Sequence, residues 1–283
     1  MVKILADSTC DLSAELVEKY NIDIIPLHIL LGEKEYCDGV DITPTQIIKW
    51  SDDNDTTPKT SAISIDETAK VFEKYVNEGM EIVAFAISSS MSTTYNVMKL
   101  AAQDIDSEDK VSVIDSANLS TGIGLLVIEA AIMARQGATM SDITNEMNRL
   151  IPLVRASFVV DTLTYLHRGG RCGSVAAMAG SMLKLHPKIA VENGKMEAGK
   201  KYRGRIKQVV MEYVKELEPQ LICARPARVF ITYSPTDEEI VNQVREYLES
   251  LHYFEEILQT EAGGVVTSHC GPGTLGVLYI AEE

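Results

Sequence analysis

The sequence is poor in basic residues. It has 26 lysines and arginines against 41 aspartates and glutamates, which gives a net charge of −15 over 283 residues. Nucleic-acid binding needs clustered basic side chains that neutralise phosphates. Adsorption to an anionic membrane surface needs such side chains as well. The charge balance therefore argues against both classes of partner.

Long apolar runs are also missing. A membrane span requires about 18–20 largely uncharged residues. The longest apolar stretch, residues 123–133, contains Glu129 and is followed by Arg135. Residues 1–9 lack the length and cleavage site of a signal peptide. We therefore expect a cytoplasmic protein.

Motifs for metals and nucleotides are absent too. The five cysteines are scattered and show none of the short paired spacings typical of zinc sites or disulfide frameworks. The sequence contains no P-loop and no G-x-G-x-x-G that opens a helix after a strand. It also lacks the G-x-S-x-G motif of many hydrolases. We assign no metal ligand, no cofactor and no catalytic residue.

The chain nevertheless has ample apolar residues, 46% of the total, for two cores. In the first half, short buried segments alternate with amphipathic helices, which is typical of parallel α/β layers. The second half has a different rhythm and a hairpin signal at Asn193-Gly194. We predict a two-domain α/β protein, with an N-terminal mainly parallel α/β sandwich over residues 1–150. A C-terminal α/β domain with a mixed sheet would follow over residues 151–283.

Residues 82–96 are the most informative segment. An apolar run typical of a strand buried on both faces is followed at once by six hydroxyl side chains. These are Ser88, Ser89, Ser90, Ser92, Thr93 and Thr94. Ligands in open α/β sheets bind at the carboxyl ends of strands. Capping a helix needs only one hydroxyl, so we interpret this loop as a candidate anion site made of neutral donors.

Two further loops carry comparable groups. Thr60-Ser61 precedes a predicted helix, and a glycine-rich loop over residues 261–274 holds Ser268, His269 and Cys270. Glycine lets the backbone approach a ligand closely. If the three loops converge, they form a pocket that suits a carboxylate or a phosphate, and a serine nucleophile is an alternative.

Two positive segments interrupt the acidic chain. The first contains Arg168 and Arg171, and the second, residues 200–205, contains Arg203 and Arg205. Each segment alone is typical of a solvated loop or helix start. Together they suggest a docking surface for an acidic or phosphate-carrying partner.

The chain resembles the DegV family, which includes the FakB subunits, the fatty-acid-binding proteins of bacterial fatty acid kinase. The resemblance depends on an ordered set of segments that runs nearly from end to end. They are ADST at 6–9, IIPL at 24–27, YCDGVDI at 36–42, TS at 60–61, ISSSMSTTY at 87–95, VIDS at 113–116, DTLTYLHRGGR at 161–171 and SHCGPGTLGV at 268–277. The chain differs from the usual family pattern at Thr93, where glycine is common, and at Ala62-Ile63, where Gln-Pro is common.

The resemblance implies a long-chain fatty acid as ligand, with its tail buried chiefly in the second domain. The small residues at 175–183 and the apolar helix at 122–136 would line the tail. Carried over by position, the carboxylate contacts are Thr60, Ser61, Ser92 and His269, with Ser89 and Thr93 in the same group. The resemblance also implies that a separate ATP-dependent fatty acid kinase converts the carboxylate to an acyl phosphate for phospholipid synthesis. That kinase would dock at the four arginines, and membrane contact would be transient.

Two other functions stay open. One is a serine acyl-hydrolase built on Ser92 and His269, for which the sequence indicates neither an acidic orienting residue nor an oxyanion hole. The other is a binding protein for a different small carboxylate or phosphate.

Overall fold

The computed structural model describes residues 1–173 and 185–282. The first half forms a four-stranded parallel sheet in the order β2-β1-β6-β7 and a small antiparallel sheet in the order β4-β3-β5. The strands are β1 (Val2–Asp7), β2 (Asp23–Ile25), β3 (His28–Leu31), β4 (Lys34–Cys37), β5 (Lys59–Ser61), β6 (Glu81–Ala86) and β7 (Val111–Asp115). The helices are α1 (Ala14–Tyr20), α2 (Pro44–Asn54), α3 (Ile65–Asn77), α4 (Thr94–Asp104), α5 (Thr121–Arg135) and α6 (Met140–Leu150).

In the described residues of the second half, six strands form a mixed sheet in the order β10-β9-β8-β13-β11-β12, in which β11 and β12 pair in parallel and the other neighbours pair antiparallel. Its strands are β8 (Val154–Val159), β9 (Leu185–Glu192), β10 (Lys195–Arg203), β11 (Ala224–Tyr233), β12 (Glu256–Glu261) and β13 (Leu275–Ala281). The described helices are α7 (Thr164–Gly169), α8 (Ile206–Leu221), α9 (Glu238–Ser250) and α10 (Gly264–Cys270). Short 3-10 turns occupy Ser8–Cys10 and Ile151–Leu153.

The predicted two-layered packing of the first sheet is confirmed along β6. Val83 and Phe85 face the core that contains α5, whereas Ile82 and Ala84 face the core formed with α3 and α4. Successive side chains of a strand point to opposite faces, so a continuous apolar run fits a strand covered on both sides. The sequence pattern therefore predicted the correct fold class.

Helix α5 lies between the parallel sheet and the mixed sheet. Its buried side chains share one core with Phe85 on one side and with Phe158 and Leu278 on the other. A helix that is apolar on all sides is expected where it is covered on all sides. The strands of the parallel and small sheets all precede residue 150 and those of the mixed sheet all follow it. The domain boundary at residue 150 stays a prediction.

Local signals account for several element ends. Thr43 Oγ1 accepts from the backbone N–H of Gln46, and Gln46 Oε1 accepts from the backbone N–H of Thr43, which gives a capping box at the start of α2. Pro44 is the first residue of the helix. The hairpin between β9 and β10 turns at Asn193-Gly194, and both residues have positive φ angles. Of the helices in the described part of the chain, none is both long and apolar enough to pass through a membrane.

One prediction was wrong. Residues 261–274 are not a continuous loop, because α10 occupies Gly264–Cys270 within them. This single short helix carries His269 and packs against α2, α7 and the small antiparallel sheet. The small sheet brings β5, with Thr60, to the same place.

Candidate carboxylate site

A cleft of about 530 Å³, counted to its solvent-open mouth, lies where β5, the loop after β6 and α10 meet. The space within the cleft that is wide enough for a water molecule is smaller, about 50 Å³. The polar lining residues are Thr60, Ser61, Ser92, Arg171 and His269, and the apolar ones include Leu27, Ile87, Met91, Leu119, Met196, Val265 and Val266. The structure thus brings four of the six predicted carboxylate contacts to one mostly apolar cleft.

Thr60 and His269 form the centre of the polar end. Thr60 Oγ1 lies 2.8 Å from His269 Nε2, although the two residues are 209 positions apart. His269 Nδ1 is buried and has no hydrogen-bond partner among the described residues. A proton on Nε2 can be donated to Thr60, whereas a proton on Nδ1 would have no acceptor. This arrangement leaves the Thr60 hydroxyl hydrogen free to be donated into the cleft.

The imidazole of His269 is neutral at physiological pH. Burial, together with the smaller effect of the positive charge of Arg171, lowers its pKa from 6.5 to about 4. Backbone packing contributes to this burial, because α7 approaches the ring at Gly169. A Cβ built on Gly169 would lie only 2.4 Å from His269 Nδ1. Glycine at this position therefore permits the close contact.

The hydroxyl loop has a divided role. Ser88 Oγ donates to the carbonyl of Gly194, which fixes the loop to the β9–β10 hairpin. Ser92 lines the cleft, and its Oγ lies 2.9 Å from Thr94 Oγ1 while accepting from the Thr94 backbone N–H at 3.3 Å. Ser89 and Thr93 are exposed and do not line the described part of the cleft. The loop therefore brings one hydroxyl of the cluster, Ser92, to the cleft.

The four arginines occupy different environments. Arg171 is exposed and lines the cleft, and its guanidinium donates to the carbonyl of Gly169. Arg168 forms a 2.6 Å ion pair with Asp55 just past α2. Arg203 and Arg205 are exposed, and neither has an ion-pair partner in residues 1–173 and 185–282.

A second, smaller pocket adjoins the cleft. The two share Leu119, Val266 and Cys270, and the second continues to Phe158 and Leu278 on the mixed sheet. Apolar side chains therefore line both pockets from the cleft towards the core beside α5. The predicted tail wall at residues 175–183 lies outside the described residues, so that prediction stays open.

Sequence reasoning missed three buried carboxylates, those of Asp7, Asp11 and Asp38, which are at most 4% exposed. Burial is the main cause that raises the pKa of each, in the case of Asp7 to about 6. Asp7 accepts from the backbone N–H of Ile87 at 2.7 Å, directly before the hydroxyl loop. Two of them, Asp7 and Asp38, lie in the segments ADST and YCDGVDI, which carry the family resemblance and could have pointed to them.

Comparison with known proteins agrees with this fold. A family model described as an uncharacterised protein of the DegV family matches residues 1–282. A DegV domain-containing protein of Clostridium perfringens is 33% identical over 281 residues, which cover 99% of each chain.

Two solved structures are similar throughout. A DegV family protein from Thermus thermophilus, which binds fatty acid, superposes with a TM-score of 0.91 at 30% identity and 99% coverage of both chains. A stearic-acid-binding protein from Eubacterium ventriosum gives a TM-score of 0.86 at 31% identity, covering 99% of this chain and 98% of that one. Since the family model spans nearly every residue, the chain belongs to the DegV family.

Proposed function

We propose that this protein binds a long-chain fatty acid, with the carboxylate held by Thr60, Ser61, Ser92 and His269. The observation that carries the proposal is the neutral Thr60–His269 pair at the polar end of an otherwise apolar cleft. The fatty acid binding of the relatives from Thermus thermophilus and Eubacterium ventriosum supports it. A neutral donor set suits a carboxylate, because hydrogen bonds to a charged acceptor are stronger than those between neutral groups.

The two ends of such a ligand contribute differently. Burying a C16 tail at ~0.8 kcal/mol per methylene contributes about 11 kcal/mol before the cost of lost freedom. Each hydrogen bond to the carboxylate contributes roughly 1.5–3 kcal/mol. The tail therefore provides most of the affinity, and the polar end selects an acid and orients it.

The geometry favours binding over ester hydrolysis. A hydrolytic serine needs a hydrogen bond to its histidine, and that histidine needs an acidic partner. Here His269 Nε2 pairs with Thr60, and Ser92 Oγ pairs with Thr94. No acidic group bonds to His269 Nδ1 within the described part of the chain. Ser92 and His269 thus act as two separate polar groups of one site.

Organic extraction of the purified protein tests the proposal directly. After expression in a bacterial host, mass spectrometry of the extract should detect a C14–C18 fatty acid in near-equimolar amount. A delipidated sample should rebind hexadecanoate in a calorimetric titration. An extract without acyl chains, together with no rebinding, would contradict the proposal. Recovery of a short carboxylate or a phosphate ester instead would favour the other binding function.

We further propose that the protein acts as a cytoplasmic carrier, with transient membrane contact, that presents the carboxylate to an ATP-dependent fatty acid kinase. The acyl phosphate made by that enzyme would enter phospholipid synthesis. Arg171 lies beside the carboxylate end, and Arg203 and Arg205 are exposed without ion-pair partners in the described residues. Arg168 is already paired with Asp55, so we expect it to contribute less to docking.

Charge reversal tests the docking surface. The double variant Arg203→Glu/Arg205→Glu should weaken pull-down of a fatty acid kinase subunit at least tenfold, while hexadecanoate binding stays unchanged. Lys49→Glu is a matched control, because it reverses an exposed charge on α2 that does not line the cleft. Equal capture of the kinase by the double variant and the control would rule out this surface.

A further inference from the structure

Asp38 connects the two elements that carry Thr60 and His269. It lies directly after β4, and its backbone N–H donates to the carbonyl of Leu27 at 2.8 Å. Its side-chain Oδ1 accepts from the backbone N–H of Gly264 at 2.7 Å, across 226 positions of sequence. One residue therefore joins the start of β3 to the start of α10.

Both ends of this connection lead to the carboxylate site. Leu27 lines the cleft and precedes β3, in which Ile29 pairs with Thr60 of β5. Gly264 begins α10, whose last turn contains His269. A shift of Asp38 relative to either element would change the distance between Thr60 and His269. A change of 1 Å in that distance is enough to break a 2.8 Å hydrogen bond.

Asp11 holds the same helix start from a second side. Its Oδ1 accepts from the backbone N–H of Gly263 at 2.8 Å, and its Oδ2 accepts from Ser120 Oγ at 2.5 Å. The carboxylates leave little room around the two glycines. A Cβ on Gly264 would lie 2.8 Å from Asp38 Oδ1, and one on Gly263 would lie 3.0 Å from Asp11 Oδ1. The entry of α10 is thus fixed by close contacts as well as by hydrogen bonds.

Burying two carboxyl groups is energetically unfavourable if their only role is to cap a helix. Asp38 is 2% exposed and Asp11 is 4% exposed, and neither forms an ion pair with a lysine or arginine in the described part of the chain. A carboxyl group buried without a cationic partner carries a desolvation cost, which raises the pKa of both groups. A serine or asparagine caps a helix start without that cost. Costly buried polar groups of this kind cluster at functional sites.

We propose that Asp38 is a positioning residue for carboxylate recognition, and that Asp11 supports it from the other side of the α10 entry. Asp38 sets the position of His269 relative to Thr60 by accepting the Gly264 hydrogen bond while its own backbone is fixed to Leu27. Ser8 orients the carboxylate, because its Oγ donates to Asp38 Oδ2 at 2.8 Å and accepts from the Leu27 N–H at 3.1 Å. The identity of the ligand in this inference rests on the proposed function. The positioning of His269 by Asp38 rests on the geometry alone.

The test compares Asp38→Ala with Asp38→Asn, using the ratio of affinities for hexadecanoate and hexadecanol. Asp38→Ala should reduce the preference for the acid about tenfold, the loss of roughly one hydrogen bond to a charged group. Asp38→Asn keeps an oxygen acceptor for Gly264 and should retain most of the preference. An equal loss of affinity for both ligands in Asp38→Ala would indicate a merely structural role and would overturn the proposal.

A second readout does not need the ligand. In ¹⁵N-labelled protein, the ring nitrogen signals of His269 should report a neutral ring with the proton on Nε2, and Asp38→Ala should change that signature. Unchanged His269 signals in Asp38→Ala would also overturn the proposal. If wild type binds neither ligand, the proposed function fails, while these signals still decide whether Asp38 positions His269.

Two further variants separate positioning from folding. Asp142→Ala is a matched control, because Asp142 accepts hydrogen bonds at the start of α6, far from the cleft lining. It should lower stability without changing the acid preference. If Asp38→Ala does not fold, Ser8→Ala removes the group that orients the carboxylate and should give a smaller shift in the same direction. A Ser8→Ala protein with wild-type preference and unchanged His269 signals would contradict the proposal.

Discussion

The substitution Met91→Trp should nearly abolish the binding of long-chain acids. Met91 belongs to the hydroxyl loop, is half-buried and lines the cleft together with Leu119. An indole there would fill part of the space proposed for the tail. Excluding about five methylenes from burial, at ~0.8 kcal/mol each, costs about 4 kcal/mol, which corresponds to roughly a thousandfold loss of affinity. Calorimetric titration with hexadecanoate measures the effect.

A comparison of two acyl-chain lengths shows whether Met91→Trp acts on the tail of the ligand. Octanoate needs less of the cleft, so its affinity should fall much less than that of hexadecanoate in Met91→Trp. Leu100→Trp is the control, since Leu100 is 49% exposed on α4 and does not line the cleft. That variant should bind both acids like wild type. Wild-type affinity for hexadecanoate in Met91→Trp would mean that the tail occupies a different region.

The parts of the fold that sequence could predict depend on local patterns. The apolar run of β6 predicted a strand with both faces covered, and its two faces indeed belong to two cores. Thr43 and Pro44 are local signals at the start of α2, and Asn193-Gly194 predicted the hairpin turn. Each of these signals involves residues within a few positions of one another, where backbone preference and side-chain capping decide the structure.

The site itself depends on contacts between distant residues. The loop pattern left open whether Thr60, Ser92 and His269 converge, and only the family resemblance implied that they do. The glycine-rich pattern at 261–274 did not predict α10, because a helix that begins with two glycines lacks the usual N-cap side chain. Its caps are Asp11 and Asp38, which lie more than 220 positions away. No local pattern could connect Asp38-Gly39, which is typical of a turn, with the start of that helix.

The hydroxyl loop shows why a cluster of similar residues divides between roles. Ser88 is 1% exposed and bonds to the β9–β10 hairpin, whereas Ser89 and Thr93 face solvent. Ser92 lies between these extremes, lines the cleft and also contacts Thr94 at the start of α4. Capping and ligand binding are therefore not exclusive alternatives here, because a serine oxygen has two lone pairs and a proton to use.

The ionisation of His269 should make the protein lose stability in acid. Its pKa is lowered from 6.5 to about 4 in the folded state, mainly by burial. Between these values the unfolded chain binds a proton that the folded protein does not. The contribution is therefore complete above pH 6.5 and is lost as the pH falls towards 4. The difference in pKa corresponds to about 3 kcal/mol in the free energy of unfolding.

The measurement is a comparison of wild type with His269→Gln, by urea unfolding at several pH values between 7.5 and 4. Glutamine can still donate to Thr60 but does not titrate, so the stability advantage of wild type should shrink by about 3 kcal/mol across this range. Absolute curves are less informative, because the raised pKa of Asp7, about 6, gives a contribution of opposite sign. Asp7 stabilises the folded protein more when protonated, so its contribution falls as the pH rises from about 4 to 6.

His252→Gln controls for the substitution itself, because His252 is exposed just past the end of α9. A difference between wild type and His269→Gln that stays constant with pH would mean that the His269 ring takes up its proton equally in the folded and unfolded states. A ring that is freely protonated would be charged below pH 6.5, and carboxylate recognition would then depend on a cation instead of the neutral Thr60–His269 pair.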